Sequence, residues 1–310
     1  MGNFRNLERL TVHEYAQKRF MKLVNESATS KLTELIMMRE YPQPLASETD
    51  RIFKHLRRLE TLCQLPASGL PPTLVELRTR YIPEGSYPYI ESLSVTGLNF
   101  LYALDRHSYS FPNLASLTLS LGGFLPSLSV TLPNLISLVV YGSEYHQLAC
   151  LSAPKLHRLV VQPSWPNPDK AYDRRVDTLT AALTQDSFSL SPTAELELGS
   201  PLHPTETLDL ALSRMSQARR VILNVADVEK EWLDVVILLT KVNTGLVLRG
   251  SALLTDTLVL KPKKIMHRLN SAAGRLMAAE ILGNLRSTGI QALEISTKDG
   301  FNLEMSREDT

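Results

Sequence analysis

Along much of this chain the apolar residues fall into one short phrase, L-x-x-L-x-L, with polar residues between them. The phrase is clearest three times in succession, in Phe111 to Leu119 (FPNLASLTL), Leu132 to Val140 (LPNLISLVV) and Ala153 to Val161 (APKLHRLVV). Its first Leu falls at Leu114, Leu135 and Leu156, two steps of 21 residues. The last two apolar positions flank one polar residue, the period-two alternation of a half-buried strand. The Leu three positions earlier turns the chain into that strand.

Looser copies extend the pattern in both directions. Leu7-x-x-Leu10-x-Val12, Leu32-x-x-Leu35-x-Met37, Leu56-x-x-Leu59, Leu74-x-x-Leu77-x-Thr79 and Ile90-x-x-Leu93-x-Val95 precede the triplet. In the Leu56 copy, Thr61 and Leu62 blur the third slot. Thr193-x-x-Leu196-x-Leu198, Ala218-x-x-Val221-x-Leu223, Asn243-x-x-Leu246-x-Leu248 and Ile290-x-x-Leu293-x-Ile295 follow it, with Leu258-x-Leu260 as a remnant in the last long gap. A period in the twenties with this core marks leucine-rich repeats, in which each unit buries its apolar face only by stacking on its neighbours. The expected fold class is α/β: an irregular leucine-rich-repeat solenoid with a curved parallel sheet on the concave side and helices or extended segments on the convex side. It occupies 1–296 as a single domain, most regular at 88–163, and 297–310 is a polar tail expected to fray.

The segments between copies differ. Glu14 to Asn25, Ser47 to Leu59, Ala171 to Thr184, Thr205 to Met215, Val228 to Val242 and His267 to Leu285 have helical apolar spacing, the last with Leu269, Ala273, Leu276, Ala279 and Leu282 on one face. Trp232 lies on such a stripe and is expected in the core. Around 110–163 the crossings are short and hold Gly122, Gly123, Pro126 and Gly142, which favours turns or extended chain. Three prolines at 163–168 forbid a helix there.

Composition narrows the function classes. The 310 residues are 44% hydrophobic and 21% charged, with a net charge of +1. That supports a large core and gives no general affinity for nucleic acid or a membrane surface. Two cysteines, Cys63 and Cys150, are too few for a disulfide framework and read as reduced thiols of a cytoplasmic or nuclear protein. The N-terminus carries no signal-peptide pattern, and no apolar run reaches the length of a membrane span. Seven scattered histidines show no i, i+4 pair, and no C-x-x-C, G-x-S-x-G, Walker or dinucleotide loop occurs. No cofactor, metal site or catalytic residue is expected. The basic run Lys261 to Arg268 reads as a solvated helix start.

What the repeat offers is a surface. The residues just before, between and after the last two apolar positions point away from the core and tile the strand face. One end of this face is mixed in charge (Arg9, Glu34, Arg58, Glu60, Glu76, Arg78). The centre is rich in Ser and Thr, and beside it lie Val139, Tyr141, Arg158 and Val160. An apolar and aromatic patch flanked by polar rows has the composition of a protein-binding site. Trp165, on the proline-rich loop, is a further candidate anchor.

The phrases FPNLASLTL, LPNLISLVV and LACLSAPKLHRLVV resemble the C-terminal regions of fungal F-box-like proteins. The resemblance is best over 88–163. It implies a solenoid that holds a substrate protein, joined to an F-box that docks on the Skp adaptor of a cullin–RING ubiquitin ligase. The Leu-Pro opening and three-helix pattern of an F-box are not recognisable here, since repeat-like sequence begins at Leu7. Two other classes stay open: a stand-alone repeat scaffold, and an enzyme with its site in the loops at 162–170 or 199–205.

Overall fold

A computed structural model describes residues 7–12, 31–37, 54–62, 65, 70–80, 82, 85–95, 110–121, 130–142, 151–162, 195–198, 218–225, 228–248, 250, 253–262, 272–296 and 302–309. The chain divides into two compact units, residues 1–135 and 136–310.

In the first unit six strands lie side by side in chain order: β1 (Arg9–Val12), β2 (Glu34–Met37), β3 (Arg58–Thr61), β4 (Glu76–Thr79), β5 (Ser92–Val95) and β6 (Ser116–Leu121). A two-residue strand, β7 (Val130–Thr131), follows. All the β1–β6 pairings are parallel and register the repeat phrase on itself. Leu10, Leu35, Leu59, Leu77, Leu93 and Leu117 form one row, and Val12, Met37, Thr61, Thr79, Val95 and Leu119 the next. The blurred third slot of the Leu56 copy is filled by Thr61, which is buried like Thr79 in the following repeat. The end of the Ser47 to Leu59 helix expectation is corrected here. Lys54 and His55 form a turn, Leu56 is buried as the first Leu of the repeat, and Arg58 already begins β3.

Proline sets the entry to β4, β5, β6 and the strand that follows Leu135. Pro71-Pro-Thr-Leu74, Tyr87-Pro-Tyr-Ile90, Phe111-Pro-Asn-Leu114 and Leu132-Pro-Asn-Leu135 each close a four-residue turn from the first carbonyl to the fourth N–H, at 3.0, 3.4, 3.3 and 3.2 Å. The fixed φ of Pro suits the second position of such a turn. The residue ahead of the proline turns inward. Tyr87 and Phe111 are buried and stack with ring centroids 5.2 Å apart. Asn113 Nδ2 donates to the Pro88 carbonyl (2.7 Å) and Asn134 Nδ2 to the Pro112 carbonyl (2.8 Å), tying each turn to the one before. One carbonyl per repeat also accepts two successive N–H groups from the next. Val75 and Glu76 both donate to Arg57, and Ala115 and Ser116 both donate to Glu91.

The second unit continues the rule with β8 (Ser137–Gly142), β9 (Leu151–Ser152), β10 (Arg158–Gln162), β11 (Glu195–Leu198), β12 (Arg220–Val225), β13 (Thr257–Pro262), β14 (Ala292–Ser296) and β15 (Asn302–Ser306). The ladder order is β8-β10-β11-β12-β13-β14-β15, parallel throughout except the last pair. Among the described residues the two units thus supply thirteen ladder strands, and the fold is of the α/β class. Leu138, Leu159, Leu196, Val221, Leu258 and Leu293 share a row and are almost fully buried.

Helix α1 (Val228–Leu248) links β12 to β13, and α2 (Ala272–Asn284) links β13 to β14 and packs on β14 and β15. Four expectations are corrected here. The copy at Asn243 to Leu248 is helix: Val235, Leu238, Leu239, Val242 and Leu246 form a buried 3–4 stripe that carries α1 through it. Asn243 donates from Nδ2 to the Ser287 carbonyl (2.6 Å). The true repeat is the supposed remnant, Thr255-x-x-Leu258-x-Leu260. Thr255 takes the first Leu slot, is buried, and donates its hydroxyl to the Ala218 carbonyl (2.8 Å). In α2 the buried stripe is Ala278, Ile281 and Leu282, continued by Leu285, whereas Leu276 is 72% exposed. Trp232 is half-buried rather than fully in the core.

The polar tail is not frayed throughout. Asn302–Ser306 pairs antiparallel with β14, Leu303 opposite Ile295 and Met305 opposite Leu293. Alternating Leu303 and Met305 give this edge strand one apolar face, enough to bind it to the ladder.

Candidate protein-binding face

The face of the second unit opposite the leucines carries two rows, the first mostly polar and the second mixing Val and Ile with Glu. Ser137, Arg158, Glu195, Arg220, Thr257, Ala292 and Ser306 make one. Val139, Val160, Glu197, Ile222, Val259, Glu294 and Glu304 make the other. The repeat places them there because every residue flanking an inward Leu points outward.

The charges on this face are matched to one another. Arg158 Nε meets Glu195 at 3.0 Å, and Arg158 Nη2 meets Glu197 at 3.4 Å. Lys261 Nζ reaches Glu197 at 3.2 Å. Arg220 meets Glu195 at 3.4 Å and grips Glu294 with both terminal nitrogens, at 2.7 and 2.6 Å. That two-pronged hydrogen bond, with the nearby carboxylates, holds the Arg220 guanidinium above its ordinary value against the opposing effect of burial. A raised cation adds stability below its unfolded value and loses it only above its folded one. This contribution of Arg220 is therefore constant across the neutral range.

Two of these pairs skip a strand. Lys261 on β13 reaches Glu197 on β11, passing over β12. Arg220 on β12 reaches Glu294 on β14, passing over β13. Neighbouring strands lie about 4.8 Å apart, so each pair spans about 10 Å and uses a long basic stem. The apolar residues at the crossed positions, Ile222 and Val259, are 3% and 1% exposed. The ion pairs thus roof a strip of apolar sheet.

The structure partly gathers the sequence candidates. Val139 and Val160 are register partners, Tyr141 lies opposite Gln162, and Arg158 opposite Ser137. Tyr141 is 37% exposed and Val139 half-buried. Val160 is corrected: at 2% exposed it offers no contact surface, being set between Val139 and Glu197 beside the Arg158 ion pairs. Arg158 is exposed but engaged by Glu195 and Glu197. Trp165 and, apart from Gln162 at the end of β10, both loops considered for an enzyme site lie outside the described residues. Lys261, read as a helix start, is a strand residue with a carboxylate partner.

Glu195, Glu197, Arg220, Lys261 and Glu294 were missed as a unit. Their signal was available in part: Arg158, Glu195 and Arg220 occupy the same slot in successive repeats. The first unit shows the same alternation. Arg9–Glu34 (2.6 Å), Arg58–Glu34 (3.5 Å) and Arg58–Glu76 (3.2 Å) run along one row, and Arg78–Glu60 (3.2 Å) lies in the next. Among the described residues, no group of three or more His, Cys, Asp or Glu could hold a metal ion, and no helix is long and apolar enough to cross a membrane. No protein-family model matches the chain, and no curated protein does so significantly.

Proposed function

We propose that the chain is a leucine-rich-repeat recognition module that binds a protein through the polar strand face of its second unit, without catalysis. It would act in the manner of the substrate-binding region of an F-box-type ubiquitin ligase receptor. The observation that carries the reading is the pairing of an exposed Tyr141 and half-buried Val139 with an ion network whose cations are already matched. Arg158, Arg220 and Lys261 face Glu195, Glu197 and Glu294, so this face has no excess positive field to draw a phosphate backbone. A patch without excess positive charge, with an aromatic anchor and a polar rim, suits a protein partner.

The test is capture from lysate of the source organism by the tagged chain, with and without Tyr141→Ala plus Val139→Ser. The double variant should keep its melting curve and lose the partner by about tenfold or more. Equal recovery by the folded variant sinks the patch. Recovery of the Skp adaptor with a cullin supports the receptor role. A partner without them makes the chain a stand-alone repeat scaffold.

A further inference from the structure

The entry edge of the first unit carries a separate groove of about 480 Å³, open to solvent. One wall is the residue just before each strand: Thr33, Arg57, Val75 and Glu91. The other is the third turn residue: His55, Thr73, Tyr89 and Asn113, with Pro72 and Pro88 beside it. Most of the small polar groups are spent within the fold. Thr33 donates to the Glu8 carbonyl, Thr73 to those of Leu56 and Lys54, and Asn113 to that of Pro88. The side chains of His55, Arg57, Tyr89 and Glu91 make no hydrogen bond or ion pair among the described residues. Tyr89 is 57% exposed.

We propose that this groove binds a proline-rich peptide in the polyproline-II conformation, with an acidic residue and a basic residue three positions apart. The spacing carries the argument. Arg57 and Glu91 hold the same repeat position two ladder steps apart, about 9.6 Å. A polyproline-II helix returns to the same face every third residue, about 9.3 Å on. A fully extended strand returns after two residues, about 6.8 Å on, and falls out of step. The groove runs from Thr33 to Asn113 over four ladder steps, about 19 Å, which is the length of about six polyproline-II residues. Tyr89, Pro72 and Pro88 supply the aromatic and apolar contact that such helices dock against. The opposite charges at either end would fix the peptide's register.

The probe is a fluorescein-labelled peptide, Ser-Pro-Glu-Pro-Pro-Lys-Pro-Ser, titrated with the full chain and read by fluorescence anisotropy. Binding should saturate. It should weaken about tenfold for an otherwise equal peptide with Glu and Lys adjacent. Arg57→Glu and Glu91→Lys should each weaken binding by a similar factor. Their combination should restore it, because a reversed peptide presents the same spacing. Tyr89→Ala should weaken binding whichever way the peptide lies. No saturable binding, indifference to charge spacing, or single reversals without effect in folded chain would each overturn the proposal. These variants are in the first unit and Tyr141 and Val139 in the second, and the peptide titration and the lysate capture read different variants, so failure of one leaves the other result standing.

Discussion

At the residue scale, ion pairs on the strand face differ in worth according to how far the cation itself is withdrawn from water. Both arginines fork onto a carboxylate of similar exposure, Glu34 at 16% and Glu294 at 18%, but the Arg9 side chain is 65% exposed and that of Arg220 only 38%. Exposed pairs are screened and contribute little, and paired charges that are partly buried contribute more. Arg220→Ala should therefore destabilise the chain by about 1 kcal/mol, a value discounted for the exposure of the guanidinium, and Arg9→Ala should leave chemical denaturation unchanged. Equal midpoints for the two variants would show that the roof over Val259 adds nothing. A leucine in the inner row stands at the other extreme. Leu159 is fully buried, and Leu159→Ala should cost about 3 kcal/mol in the same measurement.

At the element scale, the proline turn and its asparagine do for these strands what a cap does for a helix. Asn113→Ala removes the donor to the Pro88 carbonyl and should cost about 1 kcal/mol. Asn113→Asp should cost more, since an anion would then face that carbonyl. A thermal melt in which Asp is the milder change would refute this role. Gly289 sets the other sensitive connection. It follows the 3-10 turn Arg286–Thr288 with φ +82°, in the left-handed region, and leads into β14. Gly289→Ala should lower stability by about 1 kcal/mol through backbone strain, because the added carbon meets only the Leu253 carbonyl, at an ordinary 3.5 Å. The helix α1 shows competition between patterns: the first two positions of the phrase, three residues apart, also fit a helix face, and the stripe from Val235 to Leu246 decides the contest, leaving the third position, Leu248, 83% exposed.

At the scale of the whole molecule, protection is uneven. The first strand alternates exposed and half-buried residues, whereas β12 and β13 bury four of their six. Amide hydrogen exchange followed by mass spectrometry should find β12 and β13 exchanging only through global opening of their unit, and β1 exchanging fastest. Uniform protection along the ladder would mean that the roofed strip carries no extra stability. Each repeat relies on its neighbours for a core, so stability should spread outward from such well-covered strands.

The apolar pattern along the chain was enough to fix most of the strands, with their order and register; it misplaced the strand after α1 and left out the last one, β15. Where no helical stripe runs through it, an L-x-x-L-x-L phrase folds as a short strand stacked parallel on its copies, and in several repeats proline before the phrase sets the turn into it. It also put Val139, Tyr141 and Arg158 on one face. Only the tertiary structure decided which outward residues stay open. Val139 and Val160 occupy the same slot of successive repeats, yet one is half-buried and the other closed off beside Glu197 and the Arg158 ion pairs. Such closure depends on which long side chains reach across neighbouring strands, and residues 37 to 74 positions apart make those contacts. The β13 repeat was hidden for a related reason. A buried threonine, satisfied by a carbonyl of the preceding repeat, can stand where a leucine is expected, and only the neighbour reveals it.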